Sequence, residues 1–152
     1  MLEADGERSE SFLYAGDEVS ELSEGTPVPI ELVRYILPSA IPVTDEVMQT
    51  DRICVKGLVY AIGTVLLHTF EEEPQFLKIE KIYVVQHQKF LFVRVLEIVA
   101  FVNHKNAFCV HESEESQTLD IGNLQYKWPQ IAHVVDGTMF VMLHNSDEVW
   151  TL

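Results

Sequence analysis

Phe90-Leu-Phe-Val-Arg-Val-Leu-Glu-Ile-Val-Ala-Phe101 is the stretch on which the fold turns. Apolar side chains fall at odd and even positions alike, so an extended chain here is apolar on both faces. That pattern predicts a central strand buried on both sides. A helix is the rival reading, because Arg94 and Glu97 would then pair at i, i+3. The β-branched and aromatic content favours the strand. On a strand the two charges point to opposite faces, and each, if buried, needs a partner from another element.

The same texture runs outward from Arg52 to Leu143. Short segments recur as RICVKGLVY, TVLLHT, FLKIEKIYVV, NAFCV, IAHVV and TMFVML, separated by short polar breaks. Phe76 to Val85 alternates, which places Leu77, Ile79, Lys81, Tyr83 and Val85 on one face. Phe76, Lys78, Glu80, Ile82 and Val84 then take the other. His87-Gln-Lys89 and Asn103-His-Lys-Asn106 read as turns, and Ser113-Glu-Glu-Ser-Gln117 as a solvated loop. Asp136-Gly137 between two apolar runs is the strongest hairpin signal in the chain. These signals predict a mostly-β domain over residues 51–146. About seven short strands would curl into a small sheet or a partly open barrel, leaving 147–152 as a short C-terminal tail.

Ahead of that domain, residues 1–26 are polar and acidic and read as a disordered tail. Within it Ser11-Phe-Leu-Tyr14 forms an apolar island suited to docking. Residues 27–50 hold four prolines and read as a linking segment. Inside it Ile30 to Leu37 is a candidate short helix, with Pro29 near its first turn and Pro38 as its stop.

The chain has 152 residues, 47% of them apolar, which suits one domain plus a tail. No apolar stretch has the length of a membrane-spanning helix, and the N-terminus does not resemble a secretory signal. Cys54 and Cys109 both fall in expected strands and read as free buried thiols. An intracellular setting follows, nucleus or cytoplasm. Net charge is −14. Residues 1–51 hold twelve acids against two bases, and residues 52–152 hold twelve against eight. Such a balance repels phosphate backbones and anionic membranes, and is compatible with a basic partner.

No G-x-S-x-G, glycine-rich phosphate loop or H-E-x-x-H is present. Cys109-Val-His111 places a thiol and an imidazole on one strand face, with His104 nearby in sequence. A metal-dependent or hydrolytic enzyme using His104, Cys109 and His111 is therefore one reading, although the ligand spacing is poor. Aromatic residues are the better candidates. Tyr126 and Trp128 fall on one side of an extended segment ahead of Pro129. With Tyr60 or Tyr83 they would line a groove for an extended peptide, or a cage for a methylated lysine. The opposing reading buries Trp128 as a core anchor. No cofactor is expected.

Several spacings together resemble a known domain. They are V-x-G-x-x-Y-x-x-G-x-x-x-L (Val55, Gly57, Tyr60, Gly63, Leu67) and P-x-F-x-K-I-x-x-I (Pro74, Phe76, Lys78, Ile79, Ile82). They continue as H-K-N-A-F-x-V (His104 to Val110), L-x-x-x-x-P (Leu124, Pro129) and G-x-x-F-V-x-L (Gly137 to Leu143). Their order is similar to the C-terminal β-domain of transposon-derived vertebrate proteins, most numerous in fish. It is more loosely similar to the opening of bromo-adjacent homology domains. The resemblance spans about Arg52 to Asn145. It implies a non-catalytic, protein-binding accessory domain, chromatin-associated or nuclear, and carries over no site residue. A nucleic-acid-associated accessory role is the third reading.

Overall fold

The structure is a computed structural model and describes residues 20–22, 25–42 and 45–144. The apolar island at Ser11–Tyr14 and the tail 147–152 lie outside the described residues. Strands dominate, and they form two antiparallel sheets. In chain order these are β1 (Ser20–Leu22), β2 (Thr26–Val28), β3 (Val47–Thr50), β4 (Arg52–Val55), β5 (Leu58–Ala61) and β6 (Val65–Phe70). The longest follow: β7 (Pro74–Val85), β8 (Gln88–Val102) and β9 (Ala107–Asp120). The chain closes with β10 (Ile131–Val135) and β11 (Thr138–Met142). Among the described residues the one α-helix, α1 (Ile30–Val33), follows β2.

The large sheet runs β10-β11-β9-β8-β7-β3-β2, with β6 paired to the other part of the β3 edge of β7. The small sheet runs β1-β4-β5. The large sheet curls but is not closed into a barrel. A bridge, the Gln130 amide donating to the Val65 carbonyl at 2.8 Å, ties the segment ahead of β10 to β6. Among the described residues no helix is long and apolar enough to cross a membrane.

Three apolar clusters hold the layers together. Ile53 and Tyr60 of the small sheet pack on Leu77, Ile79, Ile82 and Leu91 of the large one. On the opposite face, α1 and the turn after it bury Ile30, Val33, Ile36 and Leu37 against Tyr83 and Phe90. Arg34 holds that turn by donating to the Ser39 and Ile41 carbonyls. At the far end of the sheet, Val65, Phe76, Leu96, Val110 and Val141 form a third cluster.

Several expectations are met and several change. Phe90 to Leu96 is indeed central, but the second half of β8 emerges from cover, and Val99 and Phe101 are exposed. Arg94 and Glu97 do point apart and find separate partners: Arg94 pairs with Glu80, and Glu97 with His111. Residues 27–50 do more than link, since β2, α1 and β3 extend the sheet and cover one of its faces. The helix there ends at Val33, five residues before the proline stop. Ser113 to Gln117 is part of β9 rather than a loop. Several strands are also longer than the short ones expected: β7, β8 and β9 have 12, 15 and 14 residues.

The strict alternation of β7 fails at Glu80. Ile79 opposes Val93 and Lys81 opposes Phe92, so Glu80 is an extra residue, a β-bulge. One added residue reverses the faces beyond it. Ile82 and Val84 therefore join Leu77 and Ile79, while Tyr83 and Val85 turn to the helix side.

Candidate functional site

The residues singled out in the sequence do not converge. Tyr60 is 2% exposed, inside the cluster between the sheets, so it does not line an open groove. Its hydroxyl donates to the Lys127 carbonyl at 2.7 Å. Burial, helped by the neighbouring Cys54, pushes its pKa up to about 12. Tyr126 is half-buried against the Val110–Val141 cluster. Trp128 stands exposed, its ring edge-on to His144 at 5.8 Å, so it is not a core anchor.

His104 lies exposed in the 3₁₀ turn Asn103–Lys105. Cys109 is half-buried, and His111 sits 2.8 Å from Glu97. Among the described residues, no group of three or more His, Cys, Asp or Glu side chains is placed to hold a metal ion. Cys54 and Cys109 are free and half-buried rather than fully buried.

A cleft of about 740 Å³ opens beside the α1 turn, with Ile36, Leu37, Ile41 and Phe90 among its walls. The polar groups at its rim satisfy each other. Gln86 donates to Asp45 at 3.1 Å and Gln88 to Asp120 at 3.4 Å. Thr118 donates to the Ile36 carbonyl, and Asp120 accepts from the Gly122 amide. Such a rim offers a ligand few groups that are not already engaged.

The distinctive surface lies at the other end of the sheet. Gln125 to Gln130 is a strap pinned at both ends. Leu124 is buried at its start, and Gln130 is buried at its finish. The Gln130 side chain donates to the Trp128 and His144 carbonyls at 2.9 and 2.8 Å and accepts from the His144 amide at 2.7 Å. It thereby fixes where β10 starts. The β10–β11 hairpin then turns through Asp136-Gly137, with φ of 52° and 80°. Both central residues are left-handed, which defines a type I′ turn whose twist matches the strands.

The hairpin puts β10 at the edge of the large sheet. All five of its residues are exposed, with Ile131 at 49%, Val134 at 61% and Val135 at 41%. On one face two rows of apolar side chains reach this edge from the core. One runs Ile98, Val110, Met139, Val134, and the other Phe101, Phe108, Val141, Ala132. Aromatic contacts extend the second row: Phe101 meets Phe108 at 4.9 Å, and Phe108 meets Phe76 at 5.7 Å. On the opposite face His133 stacks on Phe140 at 5.9 Å, and the Lys105 ammonium lies 5.0 Å from the same ring. The sequence marked Ile131–Val135 as a strand, but nothing in it told an edge from a centre.

No family model matches the chain, and no curated protein and no solved structure matches it.

Proposed function

We propose that this chain is a non-catalytic protein-interaction module that receives an extended segment of a protein partner along the β10 edge. The observation that carries this reading is the state of that edge. Natural sheets blunt their edges with lysines, prolines, bulges or cover. β10 has none of these within its span: its sequence is Ile-Ala-His-Val-Val, its pairing to β11 is regular, and its side chains are exposed. A segment added there gains main-chain hydrogen bonds, and its side chains extend the two apolar rows. Trp128, exposed three residues ahead of β10, adds an aromatic flank. The order of the sequence motifs supports an accessory setting of transposon-derived or chromatin type, inside the cell.

A photo-reactive amino acid at position 134 tests the reading in cells. Protein adducts should form there, and not with the same probe at Thr26 on the opposite edge of the sheet. Equal or absent labelling at the two positions would overturn it.

A further inference from the structure

The β10 edge is self-complementary, and we infer that its occupant is a second copy of this chain, paired antiparallel about a two-fold axis through His133. This rests on the reading of β10 as a binding edge.

The backbone sets the register. Val135 and Thr138 flank a two-residue turn and so form the hydrogen-bonded pair that closes the hairpin. Pairs alternate along an antiparallel ladder. Ile131, His133 and Val135 therefore spend their backbone groups on β11, while Ala132 and Val134 present theirs outward. Gln130 has the same parity as Ala132, and its amide does point outward, to the Val65 carbonyl. The free stretch of edge is thus two residues of outward parity, centred on His133. Antiparallel pairing of two such edges sets Ala132 against Val134 of the second copy, and Val134 against its Ala132. Each pair exchanges two hydrogen bonds.

The side chains agree with that register. Each apolar row arriving at Val134 continues through Ala132 of the second copy into the other row, so a larger residue always meets a smaller one. On the opposite face Ile131 meets Val135 and His133 meets His133. No formally charged residue lies in the paired strands, although the chain carries −14. The acids Glu31, Asp45 and Glu46 belong to the segment around β2 and β3, at the other edge of the sheet. This pairing therefore keeps those charges at the two far ends of the dimer, where screening is greatest. A basic peptide, by contrast, finds no carboxylate within β10 to recognise it.

The pairing is short, so a reversible dimer is expected rather than an obligate one. Sedimentation velocity of the full chain between about 10 µM and about 1 mM should show concentration-dependent dimerisation. Val134→Lys, at an exposed position, should weaken it at least about tenfold, while Thr26→Lys leaves it unchanged. The register has its own readout. His133→Cys should form a 133–133 disulfide on mild oxidation, identified by peptide mass spectrometry, because the axis brings that position against itself. Ile131→Cys should not. A monomer throughout this range, or dimers that Val134→Lys does not weaken, would overturn the inference. Position-134 adducts with a different protein would then still uphold the interaction module, and their absence would remove both.

Discussion

The Tyr60 hydroxyl and the Lys127 carbonyl lie 2.7 Å apart, across a sequence separation of 67 residues. This bond fastens the small sheet to the strap that leads into β10. Because the phenol is buried, its loss cannot be made good by water. Tyr60→Phe should destabilise the fold by about 1 kcal/mol, as a buried carbonyl loses its donor. The same burial gives a pH signature. A phenol with a pKa of about 12 keeps its proton in the folded chain while the unfolded chain loses it from about 10 upward. The unfolded state then binds fewer protons, so stability falls as pH rises between those values. Urea unfolding at neutral pH and above pH 10 measures both effects, and Tyr60→Phe should flatten the alkaline slope.

Gln130 makes a stronger local claim. Its amide oxygen and nitrogen take part in three hydrogen bonds that join Trp128, His144 and the start of β10. Gln130→Ala leaves two carbonyls and one amide without that partner. The expected cost is about 2 kcal/mol. Hydrogen exchange should also quicken at the Gln130 amide, which bonds Val65. Unchanged protection there would show that the side chain does not position the edge.

Gly137 carries a prediction that side-chain packing would miss. A Cβ added at this glycine meets nothing within 4 Å, yet its φ is +80°. Gly137→Ala should therefore cost about 1 kcal/mol through backbone conformation alone. Gly137→Asn, which tolerates the left-handed region better, should recover part of it. Comparing the two by denaturant unfolding separates strain from packing. Dimerisation should weaken along with the hairpin if β10 is the pairing edge.

These relationships differ in how far the sequence discloses them. Asp136-Gly137 was legible because a type I′ turn demands residues that accept positive φ. Phe90 to Leu96 was legible because a strand covered on both faces is apolar at both parities, and its β-branched and aromatic content argues against a helix. The Glu80 bulge was not, since a period-two reading has no place for an extra residue, and Glu80-Lys81 looked like ordinary polar punctuation. Ser113 to Gln117 was hidden for another reason. Ser116 and Gln117 are held in β9 by backbone pairing to Arg94 and Val93, not by their own side chains. The edge position of β10 depends on strand order, which no local pattern encodes. Tyr60 reads as a groove residue because an aromatic ring beside a turn looks the same in sequence whether it faces solvent or the second sheet.

The charged row across β7, β8 and β9 gives the last prediction. Arg94 donates to Glu80 at 2.7 and 3.2 Å and to the Ser113 carbonyl at 2.9 Å, and Lys78 pairs with Glu112. The hydrogen bond from Lys78 holds the Glu112 carboxyl below its usual range, with further help from Arg94. A carboxylate whose pKa is lower folded than unfolded stabilises the fold above its unfolded value. That contribution is lost as pH falls from about 4.5 through the folded value. The pair lies at the surface, so its worth is about 0.5 kcal/mol and shrinks with salt. Lys78→Met should remove most of this acid sensitivity. Arg94→Met should cost more than Lys78→Met, because it leaves the half-buried Glu80 carboxylate at the bulge without its main partner. A double-mutant cycle of Lys78→Met with Glu112→Gln, followed by urea unfolding at neutral pH and near pH 4, reads the coupling directly. A coupling energy near zero at both pH values would show that the row is held by backbone pairing alone.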